Sequence, residues 1–317
     1  MVASGIWTEK YRPIRFDEFK GQHDIVKRIK ALVEQRNVPH MMFSGPAGVG
    51  KTTLALIIVR ALHGENWKSN FLETNASDER GIQVIREKVK DFAKTMSLEA
   101  ECPKIILLDE ADALTKEAQQ ALRRTMETYA NSCRFILSCN YPSKIIDPIK
   151  SRCAIFKFKP LNKENILQII SNISKKENLN IDEEAVNIIY EHSLGDVRQL
   201  QNIMQSISAS NKKIDKASVD FLLSTAESKD IEEVLKSAFN GNFIESRKIL
   251  LDLMLNNGLS GIDIIKQIQK EIFKLNIPDE YKLEVIEKCG EIEFRLVEGS
   301  DDYVQLESFL AFMSKQK

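Results

Sequence analysis

The first half of the chain alternates short apolar runs with segments of helical periodicity. Each run is a few residues long and is followed by polar residues or glycine, which is typical of buried parallel strands. The runs are MMFS at 41–44, NFLET at 70–74, KIILLDE at 104–110, RFILSCN at 134–140 and AIFKF at 154–158. Because helical segments separate them, the pattern predicts βαβ units and a parallel sheet in an α/β domain.

The pattern changes at Pro160, beyond which the sequence shows no convincing strand. Apolar positions then recur at helical spacing, and glycine, asparagine and proline separate the segments. The predicted helices are 163–175, 182–193, 195–210, 229–239, 243–256, 260–275, 279–296 and 302–315. We therefore predict three domains, an α/β domain at 1–160, a small all-α domain at 161–226 and an all-α C-terminal domain at 227–317.

Composition narrows the class of protein only slightly. Of the 317 residues, 43% are hydrophobic and 29% charged, the ordinary balance of a globular protein. No apolar run approaches the ~20 residues of a membrane span, and the N-terminus lacks a signal-peptide core, so we expect a cytoplasmic protein without a membrane partner. Five scattered cysteines without a CxxC pair predict buried thiols rather than disulfides or zinc. The net charge of −1 still allows a local basic stripe that binds nucleic acid.

The sequence GPAGVGKT at 45–52 is a phosphate-binding loop with the expected strand before it and an apolar helix after it. Its glycines let backbone N–H groups close around phosphate oxygens, and the next helix directs its positive end at the same anion. Lys51 should reach the β- and γ-phosphates of ATP, and the Thr52 hydroxyl should ligate Mg²⁺. The predicted phosphate-binding residues are Gly45, Pro46, Ala47, Gly48, Val49, Gly50, Lys51, Thr52 and Thr53.

The acidic half of the site is KIILLDEAD at 104–112. Asp109 and Glu110 follow an apolar strand, and open α/β sheets bind ligands at that edge. Asp109 suits coordination of Mg²⁺, and Glu110 suits orienting the attacking water. A DEAD-box helicase would also carry a Ser-Ala-Thr motif and a second strand-rich domain, whereas here the next strand ends in SCN and helical patterns follow.

Other candidate positions allow two interpretations each from the residues alone. Asn140 is placed to hydrogen-bond the γ-phosphate or the attacking water, or it is a turn residue. Arg152 and Arg198 are either functional cations or ordinary surface arginines. The segment WTEKYRP at 7–13 either wraps a nucleotide base or packs on the domain.

The ordered motifs resemble those of the small subunit of replication factor C, the sliding-clamp loader, most closely its archaeal form. They are WTEKYRP, GPAGVGKT, NASDERG at 75–81, LLDEAD at 107–112, SCNY at 138–141, SRC at 151–153 and GDVR at 195–198. The resemblance covers essentially the whole chain. It implies that the three domains predicted above are an AAA+ ATPase domain at 1–160, a helical lid at 161–226 and a helical collar that forms the oligomer at 227–317.

The resemblance also implies roles for individual residues. Lys51 and Thr52 match Walker A, Asp109 and Glu110 match Walker B, Asn140 matches sensor 1, and Arg198 matches sensor 2. Arg152 matches the arginine finger, which in this family acts on ATP bound by a neighbouring subunit. Arg12 would lie near the adenine. Ala47 stands where many relatives have proline, and we expect no loss of binding because alanine keeps the backbone N–H.

The implied partners are a large subunit, further copies of the small subunit, the sliding clamp PCNA and primer–template DNA. The stoichiometry and the clamp-contact residues stay open. A physical candidate for the DNA surface is the helical segment 81–96. Its basic stripe, Arg86, Lys90 and Lys94, lies beside a predicted buried stripe of Ile82, Ile85, Val89, Phe92 and Met96. The predicted DNA contacts are Arg80, Arg86, Lys90 and Thr115, the last because a helix N-terminus favours phosphate.

The alternative for the basic stripe is a solvated helix face, with Glu79, Glu87 and Asp91 neutralising it. Arg123 and Arg124 have three open roles: contacting DNA, binding acidic residues of a partner, or linking the DNA face to the ATP site. For the whole protein, a branch-migration motor would need an inserted DNA-engaging hairpin and a winged-helix tail, neither of which the sequence suggests. An assembly subunit unable to hydrolyse ATP is disfavoured by the intact Lys51, Glu110 and Arg152.

Overall fold

The computed structural model describes residues 5–77, 85–95, 102–210, 213–216, 218–219, 228–257 and 259–315, with side chains at all of these except 85, 86, 210, 228, 229, 256 and 257. The chain divides into two compact units, Met1–Val219 and Asp220–Lys317. The division falls a few residues before the predicted start of the C-terminal domain at 227. The separation of 161–226 from 1–160 stays a prediction.

The first unit is built around a five-stranded parallel sheet in the order β2-β3-β4-β1-β5. Its strands are β1 Met41–Ser44, β2 Phe71–Asn75, β3 Lys104–Asp109, β4 Cys133–Cys139 and β5 Ala154–Lys157. All five coincide with the predicted apolar runs to within one residue at every end. Because β4 pairs with both β3 and β1, the carboxyl ends of these three strands lie side by side.

Helices cover the sheet and continue beyond it. In the first unit they are α1 Trp7–Lys10, α2 His23–Glu34, α3 Lys51–His63, α4 Lys90–Lys94, α5 Lys116–Thr128, α6 Asp147–Lys150, α7 Lys163–Glu177, α8 Glu183–Ser193 and α9 Val197–Ser210. A π-helical turn, Ile85–Val89, leads into α4. The apolar side of α5 packs on the sheet through Leu122 and Met126, which meet Ile106 and Phe135 in one buried cluster. Burial of such side chains is the main stabilising contribution, at ~25 cal/mol per Å² of apolar surface.

One prediction for the helical region is wrong. Two short strands, β6 Asn180–Ile181 and β7 Lys213–Ile214, pair in parallel on either side of α8 and α9. Each strand has only two residues, so neither forms an apolar run that periodicity can detect. The start of α9 also differs from the predicted residue 195, because Gly195 has φ +83° and the Asp196 side chain accepts hydrogen bonds from the backbone N–H groups of Arg198 and Gln199.

The second unit consists, in its described residues, of helices. They are α10 Ser228–Phe239, α11 Phe243–Asn257, α12 Gly261–Glu271, α13 Asp279–Val297 and α14 Asp302–Ser314. Their apolar faces share a core that includes Val234, Ile268, Val285 and Phe309. Ser260 begins α12 with a reciprocal capping box to Asp263. The predicted helix 260–275 ends earlier than expected, because a 3₁₀ turn at Ile272–Lys274 follows α12.

No helix in the described part of the chain is long and apolar enough to cross a membrane. The five cysteines are free thiols, and all but the half-buried Cys153 are buried, as the sequence predicted. Burial raises the pKa of Cys133 and Cys153 to about 12 and that of Cys139 to about 11.

Candidate functional site

A cleft of about 950 Å³ opens at the carboxyl edge of the sheet in the first unit. The loop after β1, the ends of β3 and β4, the N-terminal segment around Arg12, and helices α7 and α9 all contribute to its walls. Twelve predicted site residues from separate parts of the chain line this cleft. They are Arg12, Ala47, Gly48, Val49, Gly50, Lys51, Thr52, Thr53, Asp109, Glu110, Asn140 and Arg198.

The loop from Gly45 to Gly50 joins β1 to α3 in a conformation that needs glycine. Gly48 and Gly50 have φ of +66° and +94°, in the left-handed region that side chains with a Cβ avoid. A Cβ at Gly48 would lie 1.6 Å from Oδ1 of Asp196. Glycine therefore allows both the turn and the close approach of the segment before α9.

Lys51 begins α3 and is only 9% exposed. Its Nζ donates to the carbonyl oxygens of Gly45 and Pro46, both at 2.7 Å, and to Oδ1 of Asn140 at 2.9 Å. Burial lowers the pKa of Lys51, and the negative charge of Asp109 acts in the opposite direction. A buried ammonium that is surrounded by neutral oxygens gains stabilisation when a phosphate binds next to it.

Thr52 and Asp109 bring two oxygen ligands together. The Thr52 hydroxyl donates to Oδ2 of Asp109 at 2.6 Å, which joins the first turn of α3 to the end of β3. Hydroxyl and carboxylate oxygens are what Mg²⁺ prefers, so this pair fits the cofactor predicted from the sequence. Glu110 follows Asp109 and is exposed in the cleft. Its φ of +52° is a backbone conformation that a non-glycine residue adopts at some cost in free energy.

Asn140 is positioned by a residue that the sequence analysis did not single out. Asp112 accepts hydrogen bonds from the backbone N–H of Asn140 at 3.4 Å and of Tyr141 at 3.0 Å. These bonds fix the end of β4 against the turn after β3. The signal in the sequence was the second aspartate of DEAD, to which no role was assigned.

The start of α9 contacts the phosphate loop directly. The backbone N–H of Val197 donates to the carbonyl oxygen of Gly48 at 3.0 Å. Asp196 accepts from the N–H groups of Arg198 at 2.8 Å and Gln199 at 3.0 Å, which orients the first turn of the helix. Arg198 is exposed and lines the cleft.

The N-terminal segment closes another side of the cleft. Trp7 is buried, and its backbone N–H donates to Oε1 of Gln205 on α9 at 2.9 Å. Lys10 and Tyr11 both bind the carboxylate of Glu177 on α7. Arg12 pairs with Glu9, and its buried Nε has no hydrogen-bond partner among the described residues. The cleft thus contains a buried donor that a ligand can satisfy.

Arg152 lies elsewhere in the first unit. It follows α6, donates from Nη1 to the Pro148 carbonyl oxygen at 2.6 Å and from Nη2 to Glu127, and is not one of the described residues that line the cleft. The resemblance assigns Arg152 to ATP bound by a neighbouring subunit, and within its own chain Arg152 does not line the cleft with the other predicted catalytic residues.

The candidate DNA contacts are only partly described. Arg80 and the side chain of Arg86 lie outside the described residues. Lys90 is exposed at the start of α4, and the neighbouring Val89 is buried as predicted. On the same stripe, Lys94 pairs with Asp91 at 2.9 Å, as the alternative of a solvated face proposed.

Thr115 is exposed at the N-terminus of α5. Its hydroxyl oxygen accepts from the Ala118 N–H at 3.2 Å and therefore caps the helix.

Comparison with known proteins agrees with this fold. Residues 41–161 match the family described as "ATPase family associated with various cellular activities (AAA)". The parallel sheet, phosphate loop and acidic strand end place the chain among the AAA+ P-loop ATPases. Residues 226–312 match the replication factor C C-terminal domain.

Full-length relatives define the family more closely. The chain is 48% identical over 309 residues to the replication factor C small subunit of Archaeoglobus fulgidus, covering 98% of this chain and 97% of that one. It is 50% identical over 314 residues to the replication factor C small subunit of Staphylothermus marinus, covering 98% and 95%. The chain belongs to the family of replication factor C small subunits.

A solved structure of the Thermotoga maritima RuvB Holliday junction branch migration motor has a similar fold. The TM-score is 0.57 at 20% identity, and the match covers 72% of this chain and 78% of that one. At this identity the likeness concerns the fold alone.

Proposed function

We propose that this chain is a clamp-loader subunit that binds ATP and Mg²⁺ in its cleft. In an assembly with a large subunit and further copies of itself, it hydrolyses ATP to load the sliding clamp PCNA onto primer–template DNA. The observation that carries the proposal is the convergence of Lys51, Thr52, Asp109 and Asn140 at one sheet edge, while Arg152 lies outside that cleft.

In this proposal, ATP binding replaces hydrogen bonds within the protein by hydrogen bonds to the phosphates. The backbone N–H groups of the loop and the N-terminus of α3 receive the phosphates. Lys51 gives up the carbonyl oxygens of Gly45 and Pro46 and turns to the β- and γ-phosphates. The buried donor of Arg12 suits the nucleotide base, and Arg198 reaches the phosphates from α9.

The residues at the ends of β3 and β4 would carry the chemistry. Thr52 and Asp109 would hold Mg²⁺, which when bound neutralises charge on the phosphates. Glu110 orients the attacking water, and its unusual backbone conformation directs the side chain from the strand end. Asn140 hydrogen-bonds the γ-phosphate or that water, and Asp112 keeps the Asn140 backbone in place.

Arg152 is proposed to act on ATP bound by the neighbouring copy. An arginine supplied in trans stabilises the charge that develops on the transferred phosphoryl group and contributes ~10³–10⁵ in rate. Hydrolysis then requires an assembled neighbour. The proposed contacts to DNA phosphates, from Arg80, Arg86, Lys90 and the N-terminus of α5 at Thr115, place the nucleic acid within the same assembly.

A complementation experiment tests this mechanism. Two variants, Lys51→Met and Arg152→Ala, are each assembled with the large subunit, clamp and primer–template DNA, and ATP turnover is measured. Each assembly alone should turn over ATP only at the large subunit's background rate. A mixed assembly should regain turnover, because Arg152 of a Lys51→Met copy completes the intact site of its Arg152→Ala neighbour.

Binding measurements provide the control. Arg152→Ala should keep the ATP affinity of the unmodified chain, Lys51→Met should lose it, and replacement of the exposed Lys27 by Met should change nothing. A mixed assembly that stays at background would show that the arginine does not act in trans. Unchanged ATP affinity in Lys51→Met would overturn the assignment of the cleft.

A further inference from the structure

Glu127 binds the arginine that the proposed function assigns to a neighbouring copy's ATP. It lies exposed in the last turn of α5. Its Oε1 accepts a hydrogen bond from Nη2 of Arg152 and another, at 3.0 Å, from Nε of Arg123 one turn earlier on the same helix. One carboxylate therefore serves two guanidinium groups that come from separate elements.

Arg152 is held on one side and accessible on the other. Besides Glu127, its Nη1 meets the Pro148 carbonyl oxygen at 2.6 Å and the Ser151 hydroxyl at 3.5 Å. A guanidinium has five N–H donors, and within the described chain these contacts take three of them. The side chain is still 33% exposed. It can therefore present its remaining donors outward before it turns to a phosphate.

The charges of the three groups allow Arg152 to leave without a large penalty. Hydrogen bonding from Arg123, with the added positive charge of Arg152, lowers the pKa of Glu127, so the carboxylate is charged at neutral pH. When Arg152 turns to a phosphate, Glu127 keeps its bond to Arg123. The Glu127 carboxylate is then still paired with a cation, so the contact orients Arg152 without holding it back from the phosphate.

We propose that Glu127 is a positioning residue for ATP hydrolysis. It holds the Arg152 guanidinium in the orientation from which it reaches the phosphates of ATP in the neighbouring copy, and Arg123 holds Glu127 in turn. The inference rests on the proposed function of Arg152 in trans. It also gives Arg123 a role at this end of α5, opposite to the end that begins at Thr115.

The test compares variants within the full assembly of small subunits, large subunit, clamp and primer–template DNA. Glu127→Ala should lower kcat for ATP by up to about 100-fold, the scale expected when a catalytic group is misplaced by about 1 Å. The KM for ATP should not change, since the cleft of each copy is intact. Glu127→Gln should fall in between, because its amide oxygen still accepts a hydrogen bond but carries no charge.

Two further variants separate positioning from general stability. Glu34→Ala removes another surface i,i+4 pair, with Lys30 at 3.8 Å on α2, and should leave kcat unchanged. The double variant Glu127→Ala with Arg152→Ala should be as slow as Arg152→Ala alone, because a residue that acts only through Arg152 has nothing left to orient.

The outcomes distinguish the two proposals. Full turnover in Arg152→Ala would sink the proposed function itself. A slow Arg152→Ala together with a normal or faster Glu127→Ala would leave that function standing and overturn the positioning role. A loss from Glu127→Ala that adds to that of Arg152→Ala would also overturn it, since Glu127 would then act by another route.

Discussion

Burial lowers the pKa of two side chains at opposite edges of the same sheet, Lys51 and His40. Lys51, at the carboxyl edge, is nearly inaccessible, and its pKa is lowered by burial, which prepares it for an anionic ligand. His40, before β1 at the amino edge, has its pKa lowered from 6.5 to about 4 by burial and by the charge of Arg134. Its Nδ1 accepts the Phe135 N–H at 3.0 Å, so the neutral ring is the form that the fold requires.

The titration of His40 predicts a loss of stability in mild acid. Because its folded pKa lies below its unfolded pKa, the unfolded chain binds the proton more tightly. The free energy of unfolding that His40 contributes is fully present above pH 6.5 and falls as the pH decreases towards about 4. In urea denaturation, His40→Asn, whose amide oxygen can still accept from Phe135, should lose less stability between pH 7.5 and pH 5 than the unmodified chain.

The matched control for this prediction is His23→Asn on the exposed start of α2. It should leave the pH dependence of unfolding as it is. An equal decrease in stability for His40→Asn and the unmodified chain would show that His40 is not the group responsible.

At the scale of elements, the contact between the phosphate loop and α9 depends on Gly48. The Val197 N–H bonds the Gly48 carbonyl oxygen, and the Asp196 carboxylate occupies the space where a Cβ would lie. The sequence motifs identified both ends of this contact, GPAGVGKT and GDVR, but they did not show that the two meet. Residues about 150 positions apart come together only because α7 and α8 return the chain to the sheet edge.

Gly48→Ala should therefore weaken ATP binding and lower the free energy of unfolding. The matched control is Gly64→Ala, because Gly64 also has a positive φ, +54°, but a Cβ there meets nothing within 4 Å. The control carries only a backbone cost, on the order of 1–3 kcal/mol for a non-glycine residue in a sparsely populated region, because Gly64 has φ 54° and ψ −127°. Gly48→Ala should cost more, since it must also displace Asp196.

Denaturation and ATP titration of both variants check this prediction. Equal loss of stability in the two alanine variants, with ATP affinity retained in Gly48→Ala, would mean that the Asp196 carboxylate moves aside at no cost.

At the scale of the whole molecule, the proposed activity needs more than one chain. The cleft of a single copy holds the phosphate loop, the acidic strand end and Asn140, whereas Arg152 lies outside it. The proposed DNA surface also requires several copies, because a row of cations on one copy neutralises only a few phosphates.

Salt dependence tests that surface. Arg86→Ala together with Lys90→Ala should lower the DNA affinity of the assembly. The slope of log affinity against log salt should decrease by about 0.9 for each phosphate that the variant no longer neutralises. Lys94→Ala is the control, because Lys94 already pairs with Asp91 and should change the slope less. An unaltered slope in the double variant would identify the stripe as a solvated helix face.

The sequence by itself determined the strands, most helices and the phosphate-binding chemistry, because these depend on local patterns. Apolar runs define the five strands of the sheet, and the proposed roles of GPAGVGKT and DEAD rest on contiguous residues. The short strands β6 and β7 were missed because two residues make no pattern.

Tertiary structure alone decided which distant groups meet. It joined Thr52 to Asp109, brought Asp196 against Gly48, and placed Arg152 beside Glu127 rather than in the cleft. No spacing rule predicts these contacts, since they depend on how strand order and helix packing return the chain to one edge of the sheet.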